Sequence, residues 1–268
     1  MVSYLISRLR SSHSSKFPKH FGVLDLCTGT GCIPLLFCHA LPYKELGVQS
    51  VGVLGIDVSG KAVTLARNNQ RRLLQDLVTT TATKFDSIHD VRLNNIRAMR
   101  FMRGDILDDS TAVSNSYISK SLHRAGQPKW DFLISNPPYI SPRAFGRTTS
   151  RSVRNYEPKL ALVPPSNLAG SDEGQGDLFY PQLLKIADNV DANIFLVEVA
   201  DIEQAQRVVK MAQRHQRWEG VEIWRDQLDI HRSKIEAIEN GVPVIGQGNG
   251  RAVFCYTRSG GYWIHMIS

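Results

Sequence analysis

Two consecutive prolines at the end of an apolar run constrain this 268-residue chain more than any other feature. Phe132-Leu133-Ile134 reads as a short buried strand that leads into Ser135-Asn136-Pro137-Pro138-Tyr139-Ile140. Proline has no backbone N–H to give to a sheet ladder, so the strand must stop at Asn136. Pro137 also pushes Asn136 into an extended conformation. The result is a stiff loop at the carboxyl end of a strand, which in an open α/β sheet is where ligands sit.

This loop suits methyl transfer to a planar nitrogen. An amide or exocyclic amine is a poor nucleophile because its lone pair is delocalised. It needs no strong base if both of its protons are held while the nitrogen becomes pyramidal. The side-chain oxygen of Asn136 can accept one and the carbonyl of Pro137 the other, while Pro138 stiffens the turn. Tyr139 can lie against the flat face of the group that reacts. The electrostatic principle is a set of preorganised acceptors aimed at where positive charge develops. The same residues would equally serve as a plain turn after a strand, so the surrounding pattern has to decide.

That pattern alternates strands with helices. Apolar runs at 23–27, 51–57, 99–103, 132–134, 194–199, 221–224 and 251–256 read as strands, with helices over about 32–41, 61–74, 177–189 and 202–216. Such alternation predicts a doubly wound, mostly parallel seven-stranded α/β sheet with helices on both faces, in a single domain spanning 1–268. The last two strands lack a long intervening helix and are expected to form an antiparallel, hairpin-like edge. Leu77 to Asn95 and Asp109 to Lys129 read as polar, irregular insertions, and Ser141 to Gln175 as a substrate-facing lid with Arg143, Arg147, Arg151 and Arg154.

The first strand leads into Asp25-Leu26-Cys27-Thr28-Gly29-Thr30-Gly31, and Pro34 sits in the first turn of the following helix. Pro34 also occupies the third glycine position of a dinucleotide fingerprint, which disfavours that ligand. A loop of this kind fits the amino-acid end of S-adenosylmethionine: backbone groups take its carboxylate and Asp25 lies near its ammonium. Asp57 ends the second strand, where an acid can take both ribose hydroxyls of an adenosine. Asp105 can accept from the adenine amino group, and Ile106 can pack on the ring.

Composition excludes more than it selects. With 42% hydrophobic and 21% charged residues the chain is ordinary for a soluble globular protein, and no apolar run approaches the roughly 20 residues of a membrane helix. The four cysteines form no CxxC pair and the eight histidines no HExxH spacing, so no metal is expected. The net charge of +7 suits an RNA, ribonucleoprotein or acidic partner. No basic stripe with interleaved aromatics stands out, so direct nucleic-acid binding is not expected, and the chain reads as a monomer. Met1 to Gly22 has no acidic residue, as in a mitochondrial presequence, yet Tyr4-Leu5-Ile6-Ser7-Arg8-Leu9 has helical spacing. A helix there would pack against the first strand and leave little room for a removable leader.

These motifs resemble class I S-adenosylmethionine-dependent methyltransferases, and more narrowly the HemK/PrmC family of release factor glutamine N5-methyltransferases. The resemblance runs from about Val23 to Tyr256. Asp25 to Gly31 is similar to the cofactor motif, including Cys27, Thr28, Gly29 and Thr30. Asp57 matches the ribose acid, Asp105 with Ile106 the adenine position, and Asn136-Pro137-Pro138-Tyr139 the catalytic motif. Tyr156-Glu157-Pro158 with Leu160-Ala161-Leu162, Asp172-Glu173-Gly174 with Asp177-Leu178-Phe179-Tyr180, and Leu196-Val197-Glu198-Val199 with Gln204-Ala205 fit the narrower family. The wording of the cofactor loop and the basic lid look most like fungal mitochondrial members.

The resemblance implies transfer of a methyl group to the glutamine of a Gly-Gly-Gln loop in a mitochondrial release factor. The family's N-terminal helical substrate-binding domain is absent from this sequence, which is expected to begin late. Two other readings remain: an adenine-N6 methyltransferase acting on DNA or RNA, which shares the Asn-Pro-Pro-Tyr motif, and a cofactor-binding module without turnover.

Overall fold

Successive side chains of a strand point to opposite faces of the sheet, so the central strands feed two cores, one on either face. In the computed structural model, residues 1–12, 16–80, 87–107, 129–147, 149–165, 171–228, 235–239 and 241–264 are described. The strands are β1 (His20–Leu26), β2 (Ser50–Asp57), β3 (Arg100–Arg103), β4 (Phe132–Ser135), β5 (Ile194–Glu198), β6 (Gly220–Gln227), β7 (Ile235–Glu239), β8 (Val242–Ile245) and β9 (Gln247–Tyr256). They form one sheet in the order β3-β2-β1-β4-β5-β9-β6-β8-β7. The five strands from β3 to β5 are parallel, and β9 is antiparallel to both β5 and β6.

The chain winds outward from β1 through β2 to β3, then returns to place β4 on the other side of β1. Loops leaving the carboxyl ends of β1 and β4 therefore diverge at the point where the winding reverses, and open a crevice there. Register brings the two together: Leu26 pairs with Ser135, and the Ser135 hydroxyl donates to the Leu26 carbonyl at 2.6 Å.

One face is covered by α1 (Val2–Ser12), α2 (Cys32–Ala40), α3 (Tyr43–Leu46), the amino-terminal half of α4 (Gly60–Thr80), α5 (Ser87–Ala98) and a carboxyl-terminal helix over Arg258–Ile264. Phe21, Phe37 and Phe132 interlock there at centroid separations of 5.3 to 6.3 Å. The helices over Phe179–Asn189 and Ile202–Gln213 cover the other face, burying Leu183, Leu184, Val208 and Ala212 against Leu24, Leu133 and Phe195. The doubly wound α/β expectation is thus borne out. No described helix is long and apolar enough to cross a membrane.

Several expectations need correction. The sheet has nine strands, not seven, because β7 and β8 form an antiparallel pair beyond β6. The sequence carried a signal for it: Asn240-Gly241 between two apolar runs is a strong hairpin marker. The final strand is interior rather than an edge, since β9 slots between β5 and β6. The described residues of the 77–95 segment are helical: α4 continues to Thr80 and α5 begins at Ser87, and 81–86 lie outside the described residues. There Ile96 faces the core and Asn95 accepts from the Val51 amide at 3.0 Å. Residues 108–128, which hold most of the second expected insertion, lie outside the described residues.

Helix α1 shares its core with Phe21 and Val23 of β1, as expected, but its polar anchor is elsewhere. The buried Arg8 guanidinium pairs with Glu222 on β6 at 2.5 Å, over the faces of Trp224 and Phe254. Trp224 Nε1 donates to the same carboxylate at 2.8 Å.

Candidate active site

The loop after β1 is shaped by its backbone. Cys27, Gly29 and Gly31 have φ of 59°, 55° and 77°, all in the left-handed region. Glycine adopts this region without strain, and at Gly31 a side chain would also be crowded. An added Cβ there would stand 3.0 Å from both the Ala66 Cβ and the Phe101 ring. Gly29 differs, because a Cβ there would meet nothing within 4 Å. This part of the loop faces open space, as a ligand approaching the backbone requires. The turn is closed by Gly31 N donating to Thr28 O at 2.9 Å, and pinned to β2 by Thr28 N donating to Ile56 O at 3.0 Å.

Three acids frame this wall. Asp57 accepts from Gly29 N and from Ser59 N, both at 2.8 Å, one on each carboxylate oxygen. Each oxygen keeps a lone pair for a hydroxyl. Asp105 accepts from Leu107 N at 2.9 Å on an exposed turn. Asp25 lies beneath the loop, fully buried, where Oδ2 accepts from the Thr28 hydroxyl and Oδ1 has no partner. Burial, with a smaller contribution from Asp57, pushes its carboxyl up to about 8. Desolvation, and Asp57 after it, also push the Cys27 thiol up, so it stays protonated.

The second wall is the loop after β4. Asn136 is exposed and Pro137 buried, while Pro138 and Tyr139 are half-buried. Ile140 N donates to Leu162 O at 2.9 Å, tying this loop to the Leu160-Ala161-Leu162 segment. The Tyr139 hydroxyl donates to Glu198 Oε1 at 2.9 Å. Burial and the Glu198 charge raise the phenol, which stays a donor.

Both walls open onto one cleft of about 560 Å³. Of the residues assigned from sequence, Cys27, Thr28, Gly29, Thr30, Asp57, Asp105, Ile106, Asn136, Pro138 and Tyr139 line it. Asp25, Gly31 and Pro137 are not among its lining residues: Asp25 and Gly31 lie behind the first wall, and Pro137 is buried between the lining Asn136 and Pro138. The lid expected over 141–175 contains short helices at Pro142–Arg147, Arg151–Tyr156 and Asp172–Gly176. Glu157, Pro158, Leu160 and Leu162 from this segment line the outer cleft, whereas Tyr156 points away at 87% exposure. Four of its cations, Arg143, Arg147, Arg151 and Arg154, lie outside the cleft lining.

The cleft has an acid able to take vicinal hydroxyls (Asp57), an apolar slot beside Ile33, Ile56 and Ile106, and an accessible glycine backbone. It also has a buried acid with an orphaned oxygen under that backbone. Residues of this kind fit an adenosyl ligand with a charged amino-acid tail. Sequence reasoning did not single out the polar residues that brace the second wall: Gln175, Asp177, Tyr180, Glu198, Gln204 and Arg207. Asp177, Tyr180, Glu198 and Gln204 stood in matched segments, but their roles depend on contacts over long sequence separations.

No family model matches the chain. It is 28% identical over 163 residues to the mitochondrial MRF1 N(5)-glutamine methyltransferase MTQ1 of Saccharomyces cerevisiae, covering 60% of this chain and 40% of that one. It is 25% identical over 217 residues to the release factor glutamine methyltransferase of Haemophilus influenzae, covering 80% and 58%. The chain therefore spans well under two thirds of the length of these relatives. Among solved structures, the hMettl16 catalytic domain in complex with the MAT2A 3′UTR hairpin 1 superposes with a TM-score of 0.50 at 13% identity, covering 95% of this chain and 67% of that one. That likeness supports a shared fold. The resemblance read from the motifs, fungal mitochondrial members included, holds in the sequence relatives.

Proposed function

We propose that this chain transfers a methyl group from S-adenosylmethionine to the side-chain amide of a glutamine in a peptide-chain release factor. The observation that carries the reading is the meeting of the two loops. The backbone-shaped turn after β1 and the Asn136-Pro137-Pro138-Tyr139 loop after β4 line a single cleft at the reversal of the sheet. The names of the sequence relatives support the glutamine acceptor, and that of the yeast relative supports a mitochondrial setting. The reading takes the chain as one methyltransferase domain acting as a monomer.

The bound cofactor supplies an electrophilic methyl group on a sulfonium. Everything else falls to the protein. Gly29 and Thr30 would present backbone to the amino-acid tail, Asp57 would take the ribose hydroxyls, and Asp105 with Ile106 would hold the adenine. The Asn136 side-chain oxygen and the Pro137 carbonyl each accept one N–H of the glutamine amide. Held this way, the nitrogen aims its lone pair along the line of attack, and the ring of Tyr139 limits rotation of the amide plane. Such positioning converts an intermolecular encounter into a near-attack geometry. The cofactor would supply the methyl group, with its thioether as the leaving group, and the residues above would hold the nitrogen in line with it. The proton lost by the nitrogen passes to solvent, because an N-protonated amide is a strong acid and needs no base.

The test is transfer of labelled methyl from S-adenosylmethionine to a purified release factor, beside a Gln→Ala variant of its Gly-Gly-Gln loop. Label on the first and not the second is the expected result. Label on neither, with the cofactor still binding, overturns the acceptor assignment. Label on DNA or RNA instead would favour the adenine reading.

A further inference from the structure

The two prolines fix φ at 137 and 138, but nothing in them fixes Tyr139. A tyrosine on an otherwise free turn samples several χ1 wells, and its ring is loosely held about χ2. The reaction proposed above needs that ring in one place.

The structure holds Tyr139 from behind. Ser135 pairs with Val197, so the next residue on each strand, Asn136 and Glu198, stand level at the carboxyl ends of β4 and β5. From there the Glu198 carboxylate accepts from the Tyr139 hydroxyl at 2.9 Å. The backbone end of the same residue is held by Gln204, whose Nε2 donates to the Tyr139 carbonyl at 3.2 Å. Gln204 sits in the first turn of the helix over Ile202–Gln213, where Asp201 caps its amide at 2.8 Å.

The orientation of the Gln204 amide is dictated by its surroundings. Its Oε1 accepts from Ala200 N at 2.8 Å. Its Nε2 faces Gly176 O at 3.1 Å and Asp177 Oδ1 at 3.0 Å as well as Tyr139 O. Asp177 is itself gripped by the Arg207 guanidinium through contacts of 2.5 and 3.1 Å. The Tyr180 hydroxyl lies 3.0 Å from the Glu198 carbonyl and 3.2 Å from Gln204 Oε1, locking the two holders to each other.

We infer that Glu198 and Gln204 are positioning residues that clamp Tyr139 at its phenol and its carbonyl, and so fix the face the ring presents to the acceptor amide. The inference rests on the proposed function for its kinetic consequence, though not for the clamp itself. Neither residue lines the cleft, and each reaches the site through its contact with Tyr139. Their effect passes through Tyr139. Half-buried polar pairs of this kind serve equally to satisfy one another, so the test needs a readout that simple satisfaction would leave alone.

The experiment compares wild type with Glu198→Ala, Glu198→Gln, Tyr139→Phe and the Glu198→Ala/Tyr139→Phe double variant. For each, kcat and KM for a release factor, the cofactor dissociation constant by calorimetry, and the thermal midpoint are measured. The expected result is a fall in kcat of about tenfold or more for Glu198→Ala and for Tyr139→Phe, with cofactor affinity within about twofold of wild type. Glu198→Gln keeps an acceptor oxygen and should recover most of the loss. The double variant should be little worse than either single one, as for two residues acting through one contact.

Multiplicative losses, unchanged kcat, or a parallel fall in cofactor affinity would overturn the inference. Should wild type label no release factor, the acceptor assignment fails, and the clamp is read from the ring alone. Spectra of isotope-labelled tyrosine should show the Tyr139 Cζ signal, which reports the hydrogen bond at the phenol, shifted in Glu198→Ala relative to wild type. A Cζ signal at the same position in both would overturn the clamp.

Discussion

The two walls of the cleft are built by different means. The wall after β1 is a backbone construction: three left-handed residues within five positions, a glycine where a side chain would be crowded, and an acid oriented by two amide N–H groups. The wall after β4 is a side-chain construction. Its tyrosine is held by Glu198 and Gln204, 59 and 65 residues further along the chain. A wall made of backbone fails when a Cβ is added. A wall made of side chains fails when one polar partner is removed, and the fold survives. Perturbations on the two sides should therefore separate stability from turnover.

The largest effect is expected at the tip of the second wall. In the proposed reaction Asn136→Ala removes one of the two acceptors for the amide protons, at an exposed position whose loss should cost the fold little. Transfer should fall by about 10²–10³, the scale seen when one preorganised transition-state contact is lost. Cofactor affinity by calorimetry and the thermal midpoint should stay close to wild type. A rate near wild type would remove Asn136 from the mechanism.

The first wall should respond the other way. Gly31→Ala forces a left-handed alanine into a site with neighbours at 3.0 Å, which should cost about 2–4 kcal/mol of stability. Gly29→Ala carries the strain without the crowding, since open space surrounds it, and should cost about 1–2 kcal/mol. Both should weaken cofactor binding, but the stability loss should follow the order Gly31 then Gly29 in denaturant titrations. The reverse order would show that crowding behind the loop does not shape it.

The contrast also explains what could be read from the sequence. The first wall was legible because backbone demands leave a local record. Glycine at 29 and 31, an acid at the end of each of the first two strands, and proline just inside the helix are all short-range signals. The Asn-Pro-Pro-Tyr loop was legible for the same reason. The brace behind it was not, because nothing near Tyr139 announces that Glu198 and Gln204 will meet it. Helix α5 was missed because Asn95 reads as polar and irregular, although it turns inward to cap Val51 of β2. The β7–β8 pair was missed because attention to long apolar runs overlooked Asn240-Gly241. The interior position of β9 follows from its apolar Ala252-Val253-Phe254-Cys255 core, which is buried on both faces as an edge strand would not be.

A last test concerns Asp25, the one buried acid of the backbone wall with an oxygen lacking a partner. Its carboxyl is pushed from 3.8 to about 8 by burial in the folded chain. Between those values the folded state keeps the proton and the unfolded state has released it. Folding is then proton-retaining, so stability falls as pH rises from about 4 to about 8 and levels off above. The slope from this group is at most about 1.4 kcal/mol for each pH unit. Burial raises Asp131 as well, which adds a slope of the same sign, so the informative quantity is the difference between wild type and Asp25→Asn. Urea midpoints at pH 4, 5, 6, 7 and 8 should converge at low pH only for a variant that mimics the protonated acid. The two proteins should agree best near pH 4, with wild type already weaker at pH 5 and progressively more so towards pH 8. Saturating S-adenosylmethionine should then flatten the wild-type slope, because a cationic tail above the loop favours the ionised acid and lowers its pKa. A slope unchanged by the cofactor would confine Asp25 to holding Thr28, and would make the first wall a purely backbone site.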